Sequence, residues 1–283
     1  MSEIILRRAE RADYPALGEL WRECFGDSDR FIEAFFAALD SIGGGMVAEC
    51  DGCIAGAAYA ICDAQLVRPG DTPLRVGYIY GVGVHDNYRS RGIGRAVTRA
   101  AKELALTLGA RIISTLPAED GLYPWYEDVI GVKKRMSRTC TSLYSSPTVS
   151  VVPISATDYN ARRESICLSL PHLRLFPAAM EFEAAFLREY GGGLFAVGDG
   201  AIAAAYVDND RAVVRELLGA AESLRCEYAA AVGAALGTET VELWRECGFA
   251  ESGVHANEVG HIDGYIAADR SLPDGLVWGI SFD

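Results

Sequence analysis

Apolar and polar residues follow two different patterns on either side of a short loop in the first half of the chain. Tyr78–Val84 is apolar and rich in β-forming residues, which predicts a buried strand. From Ile93 to Leu108 the apolar positions recur every three or four residues, as on the buried face of a helix, and Gly109 follows as a stop signal. The pattern predicts a strand that leads through a polar loop into a helix.

The loop between this strand and helix has the composition of an anion-binding site. It reads Arg-Ser-Arg-Gly-Ile-Gly from Arg89 to Gly94. The first-turn N–H groups of a helix lack partners within the helix, and the helix dipole makes that end positive. Gly92 and Gly94 would let a ligand approach the backbone. Arg89 and Arg91 add positive charge. The combination suits a diphosphate, although it is also compatible with an ordinary turn and solvated arginines.

The rest of the first half shows the same two kinds of pattern. Asp51-Gly52, between two apolar runs, is typical of a hairpin turn. The apolar spacing predicts strands at Ile4–Arg8, Met46–Glu49, Cys53–Leu66, Arg111–Leu116 and Gly131–Tyr144, and helices at about Asp13–Phe25 and Asp27–Leu39.

The second half of the chain repeats motifs of the first. Residues 48–55 and 196–203 both read Ala-x-x-Asp-Gly-x-Ile-Ala, and each is followed by a tyrosine, Tyr59 or Tyr206. The repeat predicts two domains of one architecture, at residues 1–145 and 149–283, joined by a short Ser/Pro/Thr linker. The second copy has no Arg-x-x-Gly-x-Gly, and Glu222 stands where a diphosphate would bind. We therefore expect a degenerate copy without a ligand loop.

Composition narrows the classes of function. Half of the 283 residues are hydrophobic, which is enough for packed cores, and the formal net charge of −13 argues against a nucleic-acid partner. The longest weakly polar run, Cys53–Cys62, is too short to span a bilayer. The apolar run near the N-terminus is too short for a signal peptide. We therefore expect a cytoplasmic protein without membrane partners.

The eight cysteines do not form a metal-binding pattern. Cys50 and Cys53 form the one close pair that invites a metal interpretation, and they flank the hairpin turn. A zinc site would need two more ligands, and no His or Cys pair has suitable spacing. The sequence therefore predicts reduced thiols and no metal.

The loop and the strand before it resemble the GNAT superfamily of acyl-CoA-dependent N-acetyltransferases. The matching motif is Arg89-x-x-Gly92-x-Gly94 after the strand end Val82-Gly83-Val84. The resemblance implies a tandem α+β fold, each unit a mostly antiparallel twisted sheet flanked by helices, with a splayed central strand pair. It also implies acetyl-CoA as cosubstrate, no metal, and a binding site formed by Val82, Gly83, Val84, Arg89, Ser90, Arg91, Gly92, Ile93, Gly94 and Arg95.

The resemblance further implies direct transfer of an acetyl group to a primary amine within a ternary complex. An acid must protonate the leaving thiolate, and Tyr126 matches the tyrosine that often serves in the family. The following Gly131-Val132 departs from the family's Gly-Phe, and Tyr123 is the competing candidate. Since Tyr78–Val84 has no carboxylate, the base stays open. We favour a structural role for His85, and the alternatives are water-relayed deprotonation or an amine that is already partly neutral.

The sequence leaves the acceptor and the oligomeric state open. A small amine, an antibiotic, a peptide or a protein amine would each fit, and the negative net charge favours a cationic acceptor over an anionic one. A non-catalytic acyl-CoA-binding sensor on the same fold is the alternative, because a fold alone does not define an activity. A scaffold with an unused anion loop is the third possibility.

Overall fold

The computed structural model describes residues 3–131, 134–251, 261–267 and 276–279. By its contacts the chain divides into two compact units. The first consists of Met1–Gln65, Pro73–Arg135 and Tyr265–Ser271, and the second of Leu66–Thr72, Met136–Gly264 and Leu272–Asp283. Both units combine helices with strands that pair in both directions, which confirms the predicted α+β class.

The first unit is a run of strands interrupted by helices. Its strands lie in the order β1-β2-β3-β4-β5; β1, β2 and β3 pair antiparallel, and β4 and β5 pair parallel. In chain order the elements are β1 (Ile4–Arg8), α1 (Tyr14–Phe25), α2 (Asp29–Ile42), β2 (Gly43–Cys50), β3 (Cys53–Val67), β4 (Leu74–Val84), α3 (Ile93–Thr107), β5 (Ile112–Thr115) and α4 (Tyr123–Tyr126).

Strand β4 is buried on both of its faces, which explains why its sequence is almost continuously apolar. Ile79 packs into a core cluster that includes Val97 and Leu104 of α3. The neighbouring Tyr80 belongs to an aromatic cluster, with its ring centroid 5.7 Å from that of Trp21 in α1 and 5.6 Å from that of Phe35 in α2. Alternate residues of β4 therefore face α3 on one side and the α1–α2 pair on the other.

The second unit has a similar order of element types, with an additional strand between its first two helices. Strands β7, β9, β10 and β11 pair antiparallel, and β11 pairs parallel with β12 after a helix, as β4 does with β5. In chain order the elements after α4 are β6 (Lys134–Tyr144), β7 (Val151–Pro153), α5 (Ala156–Ile166), β8 (His172–Leu175), α6 (Pro177–Glu189), β9 (Gly193–Val197), β10 (Ala201–Asp208), β11 (Arg211–Leu218), α7 (Arg225–Ala235), β12 (Thr240–Glu251) and β13 (His261–Ala267). Whether this unit is a degenerate copy of the first stays a prediction.

The ends of the two units differ from the consecutive blocks expected from the sequence. The strand predicted to close the first unit is β6, but from Met136 onwards it belongs to the second unit, where it lies beside β12. The second neighbour of β5 is instead β13, through Ile266 and Ala267. Periodicity identifies a strand and its buried face but not the strand it pairs with. The residue pattern therefore could not show that β13, and not β6, lies beside β5. The boundary near residue 145 stays a prediction.

Candidate functional site

The parallel strands β4 and β5 separate at the centre of the first unit. Their ladder runs from Val76 beside Ile112 to Tyr78 beside Ser114. One residue further, the hydroxyl of Thr115 donates to the carbonyl of Ile79 at 2.8 Å. Beyond that point β4 continues while β5 ends, and this leaves an opening beside the last residues of β4.

A glycine with left-handed geometry lies where β4 passes this opening. Gly81 has φ 55°, and a Cβ there would lie 3.0 Å from the rings of Trp21 and Tyr59. Both the backbone conformation and the close approach of the two rings therefore require glycine. The irregularity directs Val82–Val84 along the wall of the opening.

The loop after β4 carries the helix start that the sequence predicted. Ser90 and Gly92 have φ of 62° and 81°, and Gly92 is the N-cap of α3. The first helical bond runs from the Ala96 N–H to the Gly92 carbonyl at 3.0 Å. The N–H groups of the turn before Ala96 have no partner within α3, and the helix dipole makes this end positive. The geometry is that of an anion site.

Each arginine of the loop contacts a group on the protein. Arg89 donates from Nε to the Val84 carbonyl at 3.3 Å and pairs with Asp86 at 2.8 Å. Arg91 donates to a backbone carbonyl at 3.0 Å and lies 5.0 Å from the centre of the Tyr88 ring. These are exposed contacts, which a bound anion can replace at little cost.

Arg95 points across the helix start to the carboxylate of Asp128, a pairing that the sequence did not predict. It forms an ion pair with Asp128, and this hydrogen bond holds the pKa of the Asp128 carboxyl below its usual value. Asp128 lies in the short π-helical turn Glu127–Gly131 that follows α4. The pair links the start of α3 to this turn.

The opening, the loop and the helix start form one cleft of about 770 Å³. A Cβ at Gly94 would lie 3.4 Å from a Val84 methyl group and 3.9 Å from the Trp125 ring, so a large side chain at 94 would fill the cleft. Nine of the ten predicted cofactor-binding residues line it, and Arg91 does not. The lining residues are Cys24, Phe25, Val82, Gly83, Val84, Tyr88, Arg89, Ser90, Gly92, Ile93, Gly94, Arg95, Ala118, Glu119, Leu122 and Trp125.

The two candidate tyrosines lie behind the cleft wall. Tyr126 is 8% exposed and Tyr123 is 2% exposed, and both belong to the core cluster under α3. The ring of Tyr126 meets the ring of Trp125 edge-on, with centroids 4.7 Å apart. Burial raises the pKa of Tyr126 to about 12. Within α4, the residue that forms part of the cleft lining is Trp125.

Sequence reasoning missed the part of the cleft lining that comes from α1 and from the segment around α4. Leu122 and Trp125 are three residues apart, and this spacing, which places them on one face, could have indicated them. Cys24 and Phe25 come from the end of α1, and the Cys24 thiol lies 3.7 Å from the Val84 carbonyl. No local signal connects residue 24 with residue 84, because the fold alone brings them together.

His85, at the end of β4, makes contacts that fit a structural role. Its Nδ1 accepts from the Asn87 N–H at 3.2 Å, and its Nε2 lies 3.6 Å from a carboxylate oxygen of Glu23. Its own N–H donates to the Ala55 carbonyl at 3.0 Å. These bonds fix the turn from β4 into the loop.

Comparison with known proteins defines the class. Residues 6–131 match the sequence profile of the acetyltransferase (GNAT) family. The chain thus contains a GNAT acetyltransferase domain, and the resemblance noted in the sequence is confirmed for this region. Comparison with curated proteins gives no match.

Solved structures share the fold over nearly the whole chain. A GCN5-related N-acetyltransferase from Kribbella flavida is 16% identical with a TM-score of 0.66, covering 94% of this chain and 71% of that one. A probable N-acyltransferase from Enterococcus faecalis is 12% identical with a TM-score of 0.69, at 94% and 72% coverage. Eis1 from Mycobacterium abscessus is 14% identical with a TM-score of 0.60, at 93% and 73%. At these identities the likeness establishes the GNAT fold.

Among the described residues, no helix combines the length and the apolar character needed to cross a membrane. Over the same ranges, no three or more His, Cys, Asp or Glu side chains come together as metal ligands would.

Proposed function

We propose that the protein is an N-acetyltransferase that transfers the acetyl group of acetyl-CoA to a primary amine within a ternary complex. The observation that carries the proposal is the cleft itself. It joins the opening beside β4 to a glycine-rich, positively charged helix start in one continuous space. Acetyl-CoA has a matching shape, with an anionic diphosphate at one end of a narrow arm and a thioester at the other.

The residues of the cleft fit this cosubstrate. The first-turn N–H groups of Ile93, Gly94 and Arg95 would hold the diphosphate, because they have no helical partner and lie at the positive end of α3. Arg89 and Arg95 would exchange their contacts with Asp86 and Asp128 for phosphate oxygens. The absence of a side chain at Gly94 keeps this position open.

The end of β4 would align the reacting part. Acetyl-CoA supplies an acyl group activated as a thioester. Backbone N–H groups along Val82–Val84 would orient the thioester carbonyl and stabilise the charge that develops on its oxygen. The amine must arrive neutral, and β4 offers no carboxylate to deprotonate it, so the amine would lose its proton to water.

The leaving thiolate must take up a proton, and the burial of Tyr126 bears on whether this side chain can supply it. With its pKa raised to about 12, Tyr126 stays protonated at neutral pH, as an acid must. Transfer to an ordinary thiolate, with a pKa of ~8.5, is uphill by about 5 kcal/mol from such a tyrosine. Tyr126 would serve only if the wall at Trp125 rearranges when substrate binds.

The burial of Tyr126 favours a second candidate function, a protein that binds acyl-CoA without turning it over. Such a protein would use the same helix start and the same cleft. It would need no route from a tyrosine hydroxyl to the thioester sulfur. The two functions make the same prediction for CoA affinity and opposite predictions for turnover.

An amine panel followed by release of free CoA thiol separates the two. The panel should include polyamines, basic peptides, amine-bearing antibiotics and acidic amino compounds. We expect turnover with a cationic amine, because the chain has a net charge of −13. Gly94→Trp is the matched control that should remove it. Tight CoA binding without thiol release from any amine would favour the sensor, and faster turnover of acidic amines would contradict the predicted acceptor class.

A further inference from the structure

Among the residues that the structure describes, strand β1 has a neighbouring strand on one side only, which leaves an open edge on the sheet of the first unit. It is the first strand in the sheet order, and it pairs with β2 in the register of Ile4 beside Cys50 to Arg8 beside Met46. Ile4, Ile5 and Leu6 are 38%, 50% and 44% exposed, three consecutive large apolar side chains at the surface. An exposed apolar edge is a template for pairing with another strand.

The hydrogen-bonding groups of this edge alternate in direction. The Ala9 N–H donates to the Gly45 carbonyl at 2.9 Å, which makes residues 9 and 45 a hydrogen-bonded pair in the β1–β2 register. In an antiparallel ladder such pairs recur every second residue, so residues 5 and 7 also face β2. The N–H and C=O groups of Ile4 and Leu6 therefore point away from the sheet.

Strand β7 of the second unit, the last in the strand order, is built differently. It has three residues, Val151–Pro153, and ends in a proline, which cannot donate to a neighbouring strand. Short length and proline are common protections of a sheet edge. β1 has five residues and no proline, so it lacks both protections.

The charges on β1 do not oppose pairing. Arg7 is occupied within its own unit, by Asp13 at 2.7 Å and by Glu49 at 3.1 Å. Its Nη1 also donates to the Arg8 carbonyl at 3.3 Å, so that carbonyl is partly satisfied. The arginine that remains to discourage a neighbour is Arg8 at the end of the strand.

We propose that two copies of this chain associate through β1, antiparallel about a twofold axis at Leu6. In this register Leu6 lies opposite Leu6 of the second copy and forms two hydrogen bonds with it, while Arg8 lies opposite Ile4. Arg7 then lies opposite Ile5, so no like charges face each other. A shift of the register by two residues toward the C-terminus would instead set Arg7 against Arg7, which is unfavourable.

The side chains across the axis would also complete an apolar layer. The partners of Leu6 and Ile4 on β2 are Ala48 and Cys50, which belong to the core cluster beneath α3. Paired residues share a face of the sheet, so Leu6 and Ile4 extend that apolar surface outward. Pairing would cover side chains that a monomer leaves in water.

Sedimentation equilibrium over a wide range of concentrations tests the proposal. We expect the wild type to have twice the mass of one chain, and Leu6→Lys and Leu6→Glu to have the mass of one chain, because each places two like charges at the axis. An equimolar mixture of the two variants should restore the dimer, since opposite charges then meet. Restoration requires folded chains, so misfolding cannot imitate this result.

Two further variants test whether the contact is specific to β1. Val152→Lys changes an exposed apolar residue on β7 and should leave the dimer intact. Ile4→Lys should weaken the dimer, because it faces Arg8. A monomeric wild type at all concentrations would overturn the proposal, since the edge would then be free or reserved for a different chain. Dimeric Leu6→Lys, or a mixture that stays monomeric, would overturn it as well.

Discussion

The two units share a strand–turn–helix junction and use it in different ways. In the first, β4 leads through Ser90 and Gly92 into α3, beside a cleft of about 770 Å³. In the second, β11 leads past Gly219, with φ 77°, into α7. There Arg225, the first residue of α7, folds back and donates to the Leu217 carbonyl at 2.9 Å. The first junction contains a similar bond, from Arg89 to the Val84 carbonyl at 3.3 Å, so what distinguishes it is the cleft that its glycines line.

Near the second junction the interior is filled with paired charge. Glu216 of β11 accepts from Arg163 Nε at 3.0 and 3.1 Å and from the Tyr159 hydroxyl at 2.6 Å. Arg163 also donates to the carbonyls of Leu173 and Trp278. All three side chains are buried, and their charges are tolerated because the hydrogen bonds are satisfied. The two units share strands and helices in a similar order, and they differ in the few residues at the junction.

The largest expected effect comes from closing the open junction. Gly94→Trp should abolish CoA binding, because its side chain would occupy the space between Val84 and Trp125. Titration calorimetry with CoA should give one site per chain for the wild type and none for the variant. Glu227→Trp in the first turn of α7 is the matched control, and it should bind like the wild type. Two equivalent CoA sites in the wild type would contradict the expectation that only the first junction binds CoA.

The second largest effect is expected on catalysis at the first junction. If Tyr126 is the acid, Tyr126→Phe should lower kcat by ~10²–10⁴ while leaving CoA affinity nearly unchanged. Tyr123→Phe is the control, since that side chain is more deeply buried. Steady-state kinetics with a saturating amine measures both. Damage by Tyr123→Phe alone would move the role one turn earlier, and silence of both would leave water as the acid.

The third prediction concerns the buried charges near the second junction. Glu216→Gln would leave the buried Arg163 charge unpaired, and we expect the free energy of unfolding to fall by about 3–5 kcal/mol. Asp208→Asn is the control, because its pair with Arg211 at 2.8 Å is exposed. Such a pair contributes about 0–1 kcal/mol. Urea unfolding measures both, and equal losses would contradict the role given to the buried network.

A feature of the structure could be predicted from the sequence where the residues that form it are neighbours along the chain. The strand–loop–helix unit was predicted nearly to its ends, Tyr78–Val84 and Ile93–Leu108 against the observed Leu74–Val84 and Ile93–Thr107. The anion loop is contiguous, so its glycines and arginines could be identified together.

The features that the sequence missed all depend on distant parts of the chain. Cys24 and Trp125 reach the cleft from α1 and α4, and no spacing rule relates them to Gly94. The pairing of β5 with β13 joins residues separated by about half the chain. The position of Tyr126 behind Trp125 depends on how α4 packs, which its four residues do not specify.

The smallest expected effect concerns the carboxylate that holds Arg95. In the absence of ligand Arg95 pairs with Asp128, and a diphosphate must compete with that carboxylate. Asp128→Asn should therefore raise CoA affinity by about two- to fivefold, as expected for loss of one exposed ion pair. Lowering the pH should act in the same direction in the wild type but only at strongly acidic pH, because the pKa of Asp128 lies below its usual value and the pair breaks only as the pH falls through it. The control is Glu222→Gln, which removes the ion pair between Glu222 and Arg245 at the second junction and should leave affinity unchanged. Calorimetry at low ionic strength resolves the difference, and weaker binding by Asp128→Asn would mean that Asp128 positions Arg95 for the ligand instead of competing with it.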